Sequence, residues 1–511
     1  MLPSKEKRQH RCPVAMKRAV VICILAGLLL LTACGSGSSG ATPVGAGQGN
    51  FSKASLKGQY AYQIAGYDLT SGAPYREAGY FVADGNGNLT SGSDDFSEPT
   101  TGGVQNASTT GTYSIANDGT GTLILSTASG ALRFSLTMVS NSEVLMNEAD
   151  SGAFIAAGRA DLQAPSALSS VPAGTFVFRI HSCVSCSGSD SASLVGAMTV
   201  AGGNVSGSDD VLRGGIFDPG STGGGPLAIT GSLNTPTSNG RGTGSITDAS
   251  GTVNFIYYIV DSKTLRFLVS DSGVIGLGSA EAQSGTFSSS SLKGSYVFGS
   301  RADDATAGIN AQNTVGVFTA GGNGTISTGT LDSVQDGNPS SQVGLSGSYA
   351  VLSNGRAVVK LGTIQQVCWM VNASRGFFLT DDSTKVEDGT LDQQQGSFSN
   401  GSLSGQYAFS MDGLEFTNNG TVALTQVGWI VWNGSGTLTW SETVNNSSSG
   451  SGPSGNLPGT YSVSSNGRTT AAVNTLSNNI VVYLVSGSKG YMLQNDTGVE
   501  IVGTMAAQKS P

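Results

Sequence analysis

Leu56-Lys-Gly58-Gln-Tyr60-Ala-Tyr62 is the segment that decides the architecture, because the chain repeats it. It returns as Gly174-Thr-Phe176-Val-Phe178, as Leu292-Lys-Gly294-Ser-Tyr296-Val-Phe298 and as Leu403-Ser-Gly405-Gln-Tyr407-Ala-Phe409, at glycine spacings of 116, 120 and 111 residues. Aromatic residues two apart put both rings on one face of an extended strand. A second segment, Gly79-Tyr-Phe81-Val-Ala-Asp-Gly85-Asn-Gly87-Asn-Leu89, recurs in looser form from Gly196, Gly316 and Gly428. A third, Gly111-Thr-Tyr113-Ser-Ile115, matches Gly347-Ser-Tyr349 and Gly459-Thr-Tyr461, and more weakly Gly231-Ser-Leu233. Each copy ends on a glutamine: Gln163, Gln283, Gln394 and Gln508. The chain therefore divides into four tandem domains, 48–163, 164–283, 284–394 and 395–511.

A unit of this size is a whole domain, far longer than a solenoid or propeller repeat. Within it apolar residues alternate (Leu132/Phe134/Leu136, Phe255/Tyr257, Trp369/Val371), and Gly, Asn and Asp cut the runs. That pattern predicts short antiparallel strands joined by hairpins such as Asn117-Asp118-Gly119 and Asn466-Gly467. No stretch after residue 48 shows a helical stripe. The expectation is an all-β chain of four antiparallel meanders. Each would be a small barrel of about eight strands, architecturally like avidin or the lipocalins, with a two-sheet β-sandwich as the alternative.

Composition agrees with a folded chain: 75 Gly among 511 residues and 12% charge, but 38% hydrophobic content, too much for a disordered polymer. The glycines keep no three-residue period, which excludes collagen.

Residues 1–18 carry six basic side chains and one acid, an apolar run follows from Ala19 to Leu31, and Leu31-Thr32-Ala33-Cys34-Gly35 ends the segment. A basic region, a short apolar core and small residues before a cleavage point make a secretory signal, too short to span a bilayer comfortably. Leu-Thr-Ala-Cys resembles the lipobox of bacterial lipoproteins. The resemblance implies a signal peptide over 1–33, a diacylated N-terminal Cys34 that anchors the chain to a membrane, and, with Gly35 rather than Asp next, residence in the outer membrane. Residues 34–47 would be a lipidated Cys and a Gly/Ser-rich tether reaching about 20 Å. The four-copy pattern is also similar to secreted repeat lipoproteins of acidobacteria, which implies a place in the cell envelope and no activity. Without residues 1–33 the bases fall from 25 to 19 and the acids from 34 to 33, a net charge of −14. That sign argues against nucleic acid as a partner.

Catalytic chemistry has little to work with. After His10 the chain has one histidine, His181, so a Ser-His-Asp triad or His-based zinc site would rest on it alone. His181-Ser-Cys183-Val-Ser-Cys186 offers three ligands at most to a metal, and in an oxidising envelope Cys183 and Cys186 more simply staple a loop. Cys368, beside Trp369, reads as a buried free thiol. Asp84-Gly-Asn86-Gly-Asn88 has the alternate oxygens of a calcium loop. However, Leu89 stands where an EF-hand needs Gly, and the other copies replace the Asp, which favours a hairpin turn. The Asp-Ser/Thr-Gly triplets at Asp150, Asp271 and Asp496 suggest turns rather than a shared-proton aspartate pair. Alternation places Trp369, Trp432 and Trp440 inside their barrels. Trp429, aligned with Tyr80, faces out, and these two are the candidate ligand contacts.

The expected protein is therefore a lipid-anchored envelope chain without catalytic residues, metal or cofactor. Its expected role is binding, adhesion or structure, with a polysaccharide or cell-surface partner. The alternative is carriage of small apolar ligands inside the barrels.

Overall fold

The computed structural model describes residues 49–510, apart from 72, 100–102, 129, 151–153, 185–189, 219–224, 306–311, 419, 448–449 and 474–477. The signal segment, Cys34 and the tether lie outside the described residues. Four antiparallel meanders follow one another, and in each the first strand pairs with the last, closing an eight-stranded barrel. Barrel I runs from Lys57–Asp68 to Phe154–Leu162, and barrel II from Gly174–Cys183 to Ile275–Ala282. Barrel III runs from Lys293–Asp304 to Lys385–Gln393, and barrel IV from Ser404–Thr417 to Val499–Ala507. Barrel II carries an extra two-residue strand, Ile216–Phe217. The closed form is favoured over a sandwich because it leaves no unpaired sheet edge.

The repeated motifs build the interiors. Tyr60, Tyr62 and Ile64 point inward and pack with Phe81, Leu123, Phe134 and Met146, all buried. At roughly 1.5–3 kcal/mol per fully buried large side chain, such a cluster is the main stabilising term of a barrel. The tyrosine of the third motif closes one mouth. Tyr113 donates to the Leu56 carbonyl at 2.7 Å, Tyr349 to Leu292 at 2.6 Å and Tyr461 to Leu403 at 3.1 Å. Each thereby pins a three-residue 3-10 turn that begins at a capping serine. The glycine of the second motif is there for space. A Cβ on Gly79 would lie 2.3 Å from the Ser93 carbonyl and 2.6 Å from the Tyr62 ring, and one on Gly316 would lie 2.5 Å from the Phe298 ring. Gly79→Ala is expected to cost barrel I about 1–3 kcal/mol, read as a lower thermal midpoint by circular dichroism.

Two tryptophans, Trp432 and Trp440, sit inside barrel IV. Trp369 does not sit inside barrel III, contrary to the alternation reading. Cys368 and Met370 take the inward positions, and Trp369 packs outside against barrel II. Its register partner is Arg356, just as Tyr258 pairs with Arg241 and Tyr483 with Arg468. The residue thus corresponds to the outward Tyr258, three positions after the inward Phe255. Cys368 is a buried free thiol whose pKa burial pushes up to about 12.

The four barrels form a closed ring. The terminal Gln of each barrel donates its side-chain amide to two carbonyls of the next. Gln163 reaches Asn239 (3.3 Å) and Ile259, and Gln283 reaches Asn354 (3.0 Å) and Met370 (2.8 Å). Gln394 likewise reaches Asn466 (2.9 Å) and Leu484 (2.8 Å). Gln508 of barrel IV makes the same two bonds to barrel I, at Asp118 (3.2 Å) and Met138 (2.7 Å). Equivalent head-to-tail contacts close when the rotation per step divides the circle, here about 90° for four units.

Three of the four junctions add a buried triad. Asp95 accepts from Arg241 and Tyr258, Asp210 from Arg356 and Trp369, and Asp332 from Arg468 and Tyr483. At the junction of barrels IV and I the three equivalent positions are Thr443, Thr120 and Thr137.

Candidate functional site

Alternation that turns the aromatic pair of each opening strand inward turns the residue three places later outward, toward the ring axis. These residues are Ala65, His181, Arg301 and Asp412, and all four line one cavity of about 1030 Å³. The closing strands add Arg159, Ser279, Thr390 and Thr504 to the same cavity. All four barrels therefore share it, and its wall is built mainly by the first and last strands of each, with Arg76, Arg266, Arg375 and Lys489 added from the strands beside them.

Ion pairs between neighbours frame the wall. Asp161 of barrel I holds Arg266 of barrel II at 2.6 Å, and Glu281 of barrel II holds Arg375 of barrel III through two bonds of 2.6 and 2.7 Å. Asp392 of barrel III accepts from Lys489 and Tyr491 of barrel IV, both at 2.6 Å. At the junction of IV and I the corresponding contact is apolar, made by Val139, Leu145, Ala408 and Val427. Arg301 also binds Asp412 through both terminal nitrogens, joining barrels III and IV.

His181 sits between barrels II and III. Its Nε2 lies 2.9 Å from Asp303, while Nδ1 lies 2.9 Å from Asp388 and 2.7 Å from Ser193. Burial opposes a charge on the ring, but the Asp303 carboxylate and then Asp388 outweigh it and raise the pKa to about 10. Asp388, where burial is outweighed by Arg179 and His181, is held down at about 2. The Ser-His-Asp proximity is therefore not a nucleophile with its base. Both ring nitrogens carry protons toward carboxylates, and Ser193 donates to Asp388 at 2.9 Å, so no lone pair is left to accept a serine proton.

His181 is expected to stay protonated through pH 8, as its ring carbon shifts in NMR would show. Its folded pKa lies above the unfolded value of about 6.5. Its contribution to stability is thus complete below that value and lost as pH rises through about 10. Asp388 works in the opposite sense, contributing above about pH 3.9 and losing its share as pH falls toward 2.

The candidate contacts Trp429 and Tyr80 occupy equivalent outward positions, each covered by a neighbouring barrel. Trp429 is 3% exposed and donates to Asp118 of barrel I at 3.1 Å. Tyr80 is half-buried against Tyr258, Ile256 and Leu268 of barrel II. Neither is an open stacking platform. Cys183 is disulfide-bonded, and Cys186 lies outside the described residues.

The turns are held by their own residues. Asp84 accepts from the Asn86 and Asn88 amides at 2.6 and 3.1 Å, while Asp271 and Asp496 accept from Asn254 and Asn479, both at 2.9 Å. Among the described residues no group of three or more His, Cys, Asp or Glu is placed to hold a metal ion.

The axial arginines escaped the motif reading because each stands alone in sequence, with no basic run. Their common signal was positional: Arg179, His181 and Arg301 all sit on the face opposite the aromatic pair.

No protein-family model matches the chain, and no curated protein matches it. Among solved structures it has a likeness to the one described as intact Ap-TbpB with its N and C lobes. The identity is 9%, over 70% of this chain and 81% of that one, at a TM-score of 0.16, a value too low to bear on fold or role.

Proposed function

We propose that the chain is a non-catalytic binding module of the bacterial cell envelope, anchored through lipidated Cys34. Its ligand, a polysaccharide or other cell-surface component, is taken in the cavity at the ring axis. The observation that carries this reading is the sharing of one cavity by four barrels whose own interiors are filled with side chains. An apolar ligand inside a barrel would have to displace residues such as Tyr60, Phe255, Phe298 or Phe409. Pockets that bind small molecules generally combine a concave form with a few convergent polar groups, as the axis does. His181, clamped as an imidazolium, supports the non-catalytic part of the reading.

The test is a screen of the purified full-length chain against an array of envelope glycans. Saturable binding to one class, lost on Arg375→Gln, is the expected result, and silence across the array would sink the glycan reading. In cells, Cys34→Ser should move the protein from the membrane to the soluble fraction.

A further inference from the structure

Eight of the nineteen Lys and Arg residues that follow residue 33 line the axial cavity, in a chain whose remainder is strongly acidic. Six of them are arginines: Arg76, Arg159, Arg179, Arg266, Arg301 and Arg375. Three of their carboxylate partners are set behind them, while Glu143, Asp303 and Asp412 reach the surface of the cavity. Asp161, Asp388 and Asp392 have side chains 9, 11 and 10% exposed, whereas Arg301, Arg159 and Lys489 are 50, 40 and 38% exposed. The charged surface that a ligand meets therefore carries more basic than acidic side chains. With His181 included, nine basic side chains line the cavity beside six acidic ones, Glu143, Glu281, Asp303, Asp388, Asp412 and Glu500. Of these six, Glu500 is pushed by burial to a pKa of about 8 and is mainly neutral at pH 7. The hydroxyls of Ser142, Thr390 and Ser488 also line the space.

We infer that the axial cavity binds a small polyanion bearing two or more carboxylate or phosphate groups. The inference rests on the binding role proposed above and names the ligand chemistry of that same cavity. Planar guanidinium groups held by carboxylates behind them cannot swing away, so they meet an incoming oxyanion with little further loss of side-chain entropy. A guanidinium carries five N–H donors, so one already bound to a carboxylate can still donate to an incoming oxyanion. Low-dielectric barrel walls on all sides strengthen the attraction and focus it on the axis. A volume of about 1030 Å³ lies at the upper end of small-molecule sites, room for a ligand of drug size or an acidic disaccharide.

Isothermal titration of the full-length chain with citrate, digalacturonate and pyrophosphate, with cellobiose as the neutral control, tests the inference. One-site binding of at least one polyanion is expected, weakened at least tenfold in Arg159→Gln/Arg301→Gln and unchanged in Arg133→Gln, whose side chain lies outside the cavity. A response to digalacturonate alone would name acidic sugars as the source, and a response to pyrophosphate alone would name phosphate compounds. The inference is overturned if no polyanion binds, if cellobiose binds as well, or if the two-site variant, shown folded by its melting curve, binds like the parent. A glycan array positive for neutral sugars beside silent polyanion titrations would remove this inference and leave the binding role standing.

Discussion

Asp210→Ala is expected to destabilise the junction of barrels II and III by about 3–5 kcal/mol, the largest effect of any single substitution at a junction. Asp210 is fully buried and accepts from Arg356 at 2.8 and 2.6 Å and from Trp369 at 2.8 Å. Arg356 is itself only 6% exposed at its side chain, so removing the carboxylate strips two charge-assisted hydrogen bonds from a guanidinium held in low dielectric. Replacing both members, Asp210→Leu with Arg356→Met, should recover most of the loss, because the costly state is the guanidinium short of those bonds and not the absence of the pair. Urea unfolding followed by tryptophan fluorescence reads this directly, since Trp369 belongs to the triad. The equivalent junctions provide a ranking. Asp332→Ala should approach Asp210→Ala, because Arg468 is 9% exposed, and Asp95→Ala should cost least, because Arg241 is 27% exposed and water can solvate it. A loss under about 1 kcal/mol for Asp210→Ala would mean that Arg356 relaxes to solvent and that the triad is a surface-type pair.

The four-barrel architecture was legible because barrel interiors obey a local rule. Tyr60 and Tyr62 must share a face whatever else the chain does, and four copies of that rule mean four meanders. The ring was not, because its contacts join residues of different repeats on faces that alternation marks only as outward. Gln508 was the one sequence clue. A glutamine that elsewhere meets the next domain recurs at the end of the fourth copy, where it meets the first. Trp369 was misplaced for a related reason. An indole in an apolar run reads as core, and the run is apolar on both faces because barrel II covers its outer side. The same covering explains Trp429 and Tyr80, outward from their barrels yet buried between barrels. The axial arginines were visible as letters but not as a set, since grouping them required knowing which strands border the axis.

Val427→Asp is expected to open the ring at the junction of barrels IV and I while all four barrels stay folded. This junction differs from the other three in two ways. No linker crosses it, and no buried Arg–Asp pair holds it, since Thr443, Thr120 and Thr137 stand in the triad positions. What closes it is the apolar contact of Val139, Leu145, Ala408 and Val427, with hydrogen bonds around it. Asn445 donates to the Glu148 and Phe154 carbonyls at 2.6 and 3.0 Å, Gln406 to Asp118 at 2.9 Å, and Trp429 to the Asp118 carboxylate at 3.1 Å. The three tethered junctions keep barrels IV and I at high effective concentration, so loss of one hydrogen bond, as in Trp429→Phe, should leave the ring closed. A carboxylate at Val427 is a different matter, because it would be buried among apolar groups with no cation opposite. Separation then solvates it. Val427 faces away from the barrel IV interior, so the barrel loses nothing by the change. The expected signature is an increase of several ångström in the radius of gyration by small-angle scattering, from about 23 Å for a compact chain of this length. Far-ultraviolet circular dichroism should be unchanged, and fluorescence should shift to the red as Trp429 meets water. Opening would also split the axial cavity, so polyanion binding should fall in the same variant. A scattering curve identical to that of the parent would show that the three ionic junctions alone hold the ring shut.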